Sequence, residues 1–148
     1  MTFGETRPPE ALSNFTGFLL NWVAAGSRKH FEEALDELGL KLQGFALMNT
    51  VDAEPGRTQQ ELVGLTHIDP STMVQTLDML AEAGYAERRP HPSDRRKYTI
   101  HLTKEGKRML GRARRAAAEA GSESLGRLDN AERNRLRELL RKAAGCED

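Results

Sequence analysis

The chain carries a single cysteine, Cys146, two residues from its last position. One thiol makes no internal disulfide and no multi-thiolate metal site, and it points to a reducing cytoplasm. A thiolate held at low pKa needs fixed cationic surroundings, which a chain end supplies poorly. Aromatic residues are scarce at 5%, against 30% charged residues; that imbalance suits helices with long solvated faces. Net charge is missing too, with 22 Lys and Arg balanced by 22 Asp and Glu. A globally basic nucleic-acid binder is thereby excluded, but a locally basic one is not. No apolar run reaches the ~18 residues of a membrane span. The opening MTFGETRPPE has no signal-peptide pattern. P-loop, Gly-rich dinucleotide turn, HExxH and nucleophile-triad patterns are all lacking, so neither an enzyme nor a cofactor is expected. The four histidines, His30, His67, His91 and His101, show no metal-ligand spacing, and no metal site is expected.

What the chain does have is segregated charge. Between Arg88 and Arg108 lie eight Lys or Arg and only two acids, Asp94 and Glu105, while acids gather elsewhere, as in EEALDE at 32–37. Such segregation is what an electrostatic footprint requires. A length of 148 residues fits one domain with its own core.

Apolar spacing predicts a first helix from after Pro9 to about Leu38, with Leu12, Phe15, Leu19, Trp22 or Val23, and Gly26 on one stripe. The stripe continues more weakly through His30, Ala34 and Leu38, and Gly39 is the expected cap. A helix of that length is too long for a small lobe to cover. A second helix is expected over 40–54, with Leu42, Phe45, Ala46 and Met48 on its inner side. TQQE at 58–61 has the form of a capping box opening a short third helix. HID makes a turn, and Asp69 with Pro70 opens a fourth helix that stops before Gly84. Its expected buried face is Met73, Leu77 and Leu80, flanked by Val74 and Ala81. Two short helices about a tight turn read as a helix-turn-helix. Residues 85–90 and 95–102 then read as a hairpin with HPSD at its tip, Tyr98, Ile100 and Leu102 on one face and Lys97, Thr99 and His101 on the other. Thr103 caps a helix running to about Ser124, whose inner stripe is Leu110, Ala113, Ala117, Ala120 and Ser124. Asp129 and Glu132 have cap spacing before a final helix with Leu136, Leu139, Leu140 and Ala143 on one side.

Two constellations carry chemistry. In DPSTMVQTL, Ser71, Thr72, Gln75 and Thr76 are the polar side chains of the first turns, which in a recognition helix enter the major groove. Gln pairs bidentately with adenine, and Ser or Thr meets phosphate or base edges. A solvated helix start would look the same in isolation; the short helix before it and the basic hairpin after it separate the two readings. In the hairpin, Arg88, Arg95, Arg96 and Lys97 offer long cations to a minor groove. Asp94 stands two residues before Arg96, positioned to hold its guanidinium by a bidentate bond.

The run Asp94-Arg95-Arg96, Ile100, Leu102-Thr103 and Gly106 resembles the D-R-R-x-x-x-ϕ-x-L-T-x-x-G signature of the MarR family, ϕ being an apolar residue. Leu80, Gly84 and Arg88 resemble that family's L-E-x-x-G-L-V-x-R, with Ala81, Tyr85 and Ala86 as mild departures. The helix order matches over essentially the whole chain. The resemblance implies a mainly α fold: a winged helix-turn-helix lobe with a small β-hairpin wing over 39–107, and dimerisation helices over 1–38 and 108–148. It implies a homodimer held through Leu12, Phe15, Leu19, Leu136, Leu139 and Leu140. It also implies a cytoplasmic, nucleoid-associated regulator of transcription that reads an inverted-repeat operator in double-stranded DNA, with Arg96 in the minor groove, Asp94 steadying it and Arg95 near the backbone. Repression relieved by a small aromatic effector is the favoured mode. Trp22, His30, Phe45 and Met48 could edge the effector pocket, though as a bare stripe they describe core equally well. The cysteine of the family's peroxide sensors and the fifth-helix histidine of its zinc sensors have no counterpart here. Two other readings stay open: a winged-helix protein-interaction module without a specific operator, and a metal-responsive regulator, which the scarcity of ligands disfavours.

Overall fold

The computed structural model describes residues 6–146. A 3-10 turn, Glu10–Leu12, precedes six helices and two strands: α1 Thr16–Asp36, α2 Leu42–Ala53, α3 Gln59–Thr66, α4 Pro70–Glu82, β1 Ala86–Pro90, β2 Tyr98–Leu102, α5 Lys104–Ser124 and α6 Asn130–Ala143. The chain divides into two compact units, one made of the segments up to Ala34 and from Ala117 onward, the other of Leu35–Ala116.

The first helix is shorter than its apolar spacing predicts. Ser13 ends the 3-10 turn, its hydroxyl and its N–H both donating to the Glu10 carbonyl. Local bonds of this kind compete with helix propagation. Leu12 and Phe15 therefore lie outside α1 and are exposed. At the other end Gly39 takes a left-handed φ of 71°, and the Leu40 N–H donates to the Leu35 carbonyl at 3.0 Å, the pattern of a glycine-closed helix end.

In the Leu35–Ala116 unit the core is closed: Leu47, Met48, Leu62, Met73, Leu77, Ile100 and Leu110 are buried. The inner face of α2 is Gly44, Leu47, Met48 and Val51. This differs from the expected face: Ala46 is exposed, and Leu42 and Phe45 are half-buried. The apolar residues of this helix are spread around its circumference, so its periodicity does not fix its orientation; its neighbours do. The capping box of α3 forms as predicted, Thr58 accepting from the Glu61 N–H while Glu61 accepts from the Thr58 N–H. His67 closes the turn in the left-handed region, φ 56°, and Asp69 caps α4 by accepting from the Thr72 N–H at 3.0 Å.

The hairpin is antiparallel with Ala86 opposite Leu102 and Pro90 opposite Tyr98. Its second strand starts at Tyr98 rather than Arg95, because Arg95 to Lys97 belong to the turn: the Lys97 N–H donates to the Asp94 carbonyl and the His91 N–H to the Lys97 carbonyl, both at 3.0 Å. The predicted polar face of β2 is also altered. Thr99 is buried, its hydroxyl within reach of His101 Nε2 at 2.9 Å. The reason is that β2 is flanked on both edges. The Ile100 N–H donates to the Arg57 carbonyl at 2.8 Å, and Thr58 forms a bridge with Thr99.

Thr103 joins the hairpin to α5. Its hydroxyl donates to the Gly84 carbonyl at 2.5 Å and accepts from the Gly106 N–H at 3.0 Å. A Cβ on Gly106 would sit 1.9 Å from the Tyr85 carbonyl oxygen, so only glycine fits there. The paired Thr and Gly of the LTxxG run are thus a packing device at the base of the wing.

In the other unit α6 opens with a second capping box, Asp129 with Glu132. The hydroxyls of Ser27 and Ser124 lie 3.1 Å apart. No residue of α6 is buried, and Leu139 and Leu140 are exposed.

Candidate nucleic-acid interface

The fourth helix presents two faces. Met73, Thr76, Leu77 and Leu80 are its buried residues. Thr76, expected at the groove, is 8% exposed and sits on the core side, lining a small recess with Gly44 and Leu80. Residues 73, 76, 77 and 80 form one i, i+3, i+4, i+7 stripe, so Thr76 cannot share the outward face. That face holds Ser71, Val74, Gln75 and Asp78, all exposed, and Thr72 lies at its half-buried edge. Val74, expected to flank the core, is 42% exposed.

Asp69 organises the start of this helix. It accepts from the Ser71 hydroxyl at 2.6 Å and the Thr72 N–H at 3.0 Å. These bonds, that from Ser71 foremost, hold its carboxyl well below the usual carboxylate range. The helix N-terminus therefore keeps its capping anion throughout the neutral range.

The wing tip is built around Asp94. Its Oδ1 accepts from the Arg96 backbone N–H at 3.0 Å and, more weakly, from Arg96 Nε at 3.4 Å. The expected bidentate grip on the guanidinium does not form, because one oxygen makes both bonds. Asp94 fixes the backbone of the tip, and the Arg96 side chain stays 91% exposed. The backbone bond also lowers the Asp94 pKa below its ordinary value. Arg95 and Lys97 are exposed beside it. The tip thus projects three consecutive cations from a turn locked by its own hydrogen bonds.

Arg88 departs from the tip. It lies on β1 and donates to Asp78 of α4 at 2.7 Å. Sequence reasoning placed Arg88 in the wing but missed Asp78; the pair joins the outward face of α4 to the hairpin. No periodicity signals a contact between residues ten apart in different elements. Between the start of α3 and the hairpin is a shallow groove of about 220 Å³ lined by Thr58, Gln59, Gln60, Arg88, Lys97 and Tyr98, with Ile100 at its floor.

The expected effector residues divide. Trp22 and His30 both line a cavity of about 750 Å³ within the unit of the terminal segments, together with Leu19, Val23, Leu128 and Leu136. His30 Nδ1 lies 3.0 Å from the Gly26 carbonyl, so it is the donor there and leaves Nε2 as an acceptor in the neutral ring. Phe45 and Met48 belong to the Leu35–Ala116 unit, where Phe45 is half-buried and Met48 is fully buried in the core. Among the described residues no cluster of His, Cys, Asp or Glu could hold a metal ion.

Known proteins share this fold. The MarR family model matches residues 38–97. The chain is 30% identical to the HTH-type transcriptional repressor NicR of Pseudomonas putida over 111 residues, 75% of this chain and 70% of that protein. It is 31% identical over 98 residues to a Thauera aromatica protein named for transcriptional regulation of the hcr operon, a match spanning 66% of this chain but only 59% of that one. Among solved structures it is similar to the transcriptional repressor CouR bound to a 23-mer DNA duplex, with TM-score 0.79 and 28% identity over 94% of this chain and 99% of that one. CouR from Rhodococcus jostii RHA1 bound to p-coumaroyl-CoA gives TM-score 0.72 and 28% identity over 92% and 96% of the two chains.

Proposed function

Because this chain belongs to the MarR family, we propose that it is a DNA-binding transcriptional repressor, acting as a homodimer on an inverted-repeat operator and released by a small aromatic ligand. One observation carries the DNA reading. The outward face of α4 and the cationic hairpin belong to one closed lobe, and the Asp78–Arg88 bond holds them together. A helix presenting Ser71, Thr72 and Gln75 fits base edges in the major groove. An exposed arginine on a rigid tip fits the adjacent minor groove, where Arg96 enters with Arg95 and Lys97 at the phosphates.

Dimerisation is assigned to the terminal segments, whose apolar side chains have too little cover within one chain. Leu12, Phe15, Leu139 and Leu140 are exposed, while Leu19 and Leu136 line the cavity. Two α4 helices related by a two-fold axis would reach major grooves roughly 34 Å apart. The cavity has a size usual for small-ligand sites, which run to about 300–1,000 Å³. Trp22 offers a stacking surface and His30 Nε2 an acceptor to a ligand in this cavity. We assign the site of action to the cytoplasm, on DNA; no helix among the described residues is long and apolar enough to cross a membrane.

The test is a salt series. A duplex selected in vitro should bind far more tightly than its scrambled counterpart, with log affinity falling against log salt by about 0.9 per phosphate neutralised. Arg96→Ala should weaken operator binding by about 1–3 kcal/mol and leave thermal unfolding unchanged. A shallow salt slope with no preference between duplexes would favour the protein-interaction module and overturn the operator reading. For the ligand arm, a phenolic acid should release the wild-type protein from the operator and Trp22→Ala should resist it.

A further inference from the structure

The outward face of α4 holds one residue that phosphate contact does not explain. Val74 is 42% exposed, set among Ser71, Gln75 and Asp78 at helical spacings of three and four. A lone exposed valine is ordinary on a protein surface; its neighbours make this one informative. The Ser71 hydroxyl is already donated to Asp69, and the Asp78 carboxylate is already taken by Arg88. Among the described residues of this face, Val74 and Gln75 carry no such bond. The Ser71 oxygen can still accept, but Val74 and Gln75 are the side chains here that no intramolecular bond holds. The Asp78–Arg88 pair also neutralises the acid beside Val74 and Gln75 and joins this part of the face to the cationic hairpin, so a polyanion is the occupant its charge favours.

We propose that Val74 is a sequence-reading residue whose γ-methyl groups pack against the C5-methyl of a thymine in the major groove of each half-site. The assignment rests on the operator reading and deepens it. Thymine is the base that offers a methyl group in that groove, and apolar side chains are the groups that meet it. A β-branched side chain in a helix is held almost entirely in one χ1 rotamer. The methyls are therefore placed before binding, and little side-chain freedom is lost on contact. Gln75, next in the chain, supplies the adenine-reading amide for the same A·T-containing step.

Replacing thymine by deoxyuridine removes the methyl and nothing else, so it tests the contact directly. In the selected operator duplex, each thymine is replaced in turn. One position per half-site should weaken wild-type binding by about fourfold, the value of one buried methyl. Val74→Ala should bind the thymine duplex more weakly by at least that factor and lose nothing further with uracil at that position. Alanine is a strong helix former at an exposed site, so its melting curve should match the wild type. If no uracil substitution affects the wild type, or if Val74→Ala keeps the same uracil penalty, the assignment is wrong while the operator reading stands. Should no duplex be preferred over its scrambled form, the operator reading fails and this assignment falls with it.

Discussion

The two units of this chain solve the burial problem differently. In Leu35–Ala116, nine large side chains from helices and strand alike, among them Leu62, Met73 and Ile100, are closed off within a single copy. In the terminal segments α6 buries nothing, and Leu20, Val23, Leu139 and Leu140 stay exposed. Apolar surface of that extent is normally covered in the working assembly. The difference teaches where stability resides. The lobe's core is complete in one chain, whereas the terminal helices leave apolar surface that the proposed dimer would cover, so their stability should vary with protein concentration.

The largest way to break this comparison is at the closed core. Leu77→Ala should lower stability by about 2–5 kcal/mol, and its effect should be the same at low and high protein concentration. Gly106→Ala should cost about 2 kcal/mol or more by forcing a Cβ into the Tyr85 carbonyl; denaturant unfolding that leaves this variant at wild-type stability would refute the packing role of the LTxxG glycine. Leu139→Asp should leave the lobe folded and shift the protein from dimer to monomer in sedimentation. A dimer that persists would remove α6 from the interface. Thr58→Ala, which deletes half of a capping box, should cost about 1 kcal/mol, read from the midpoint of urea unfolding.

The smallest effect sharpens the comparison through pH. Burial, with the nearby Arg89 charge, lowers the pKa of His101 below its ordinary value, and Glu87 opposes this. A base with a depressed folded pKa is neutral in the native state and protonates more readily when unfolded. Its contribution is present above the ordinary histidine range and is lost as pH falls through that range towards the folded value. Melting temperature should therefore drop slightly between about pH 7 and 5, and His101→Gln should flatten the drop. An unchanged slope would show that His101 is not the group responsible.

Much of the fold was legible because its signals are local. The Thr58–Glu61 box, the Asp69-Pro70 start, the Asp129–Glu132 box and the Gly39 stop each join residues a few positions apart, and all are present. The wing turn was legible for the same reason, although Asp94 grips the backbone of Arg96 more firmly than its guanidinium. Faces were harder. On α4 the stripe Met73, Leu77, Leu80 has two flanks, Val74 and Thr76, and hydropathy favours burying valine. The neighbouring surface covers Thr76 instead. On α2 the displaced face has a similar origin. Phe45, Ala46 and Leu47 are all apolar, and the position of the helix against its neighbours chose Leu47.

By itself, then, the sequence determined where the helices after α1 begin and end to within a few residues, that a hairpin follows the fourth helix, and that three cations stand at its tip. These depend on hydrogen bonds and turn geometry spanning a few residues, which a chain carries wherever it goes. Tertiary structure decided the rest: that Thr76 turns inward and Val74 outward, that Arg88 of β1 reaches Asp78 of α4, and that Thr99 is enclosed by a third backbone segment. Each of these choices sets two near-equal local options against each other. Only the shape and charge of a surface distant in sequence separates them.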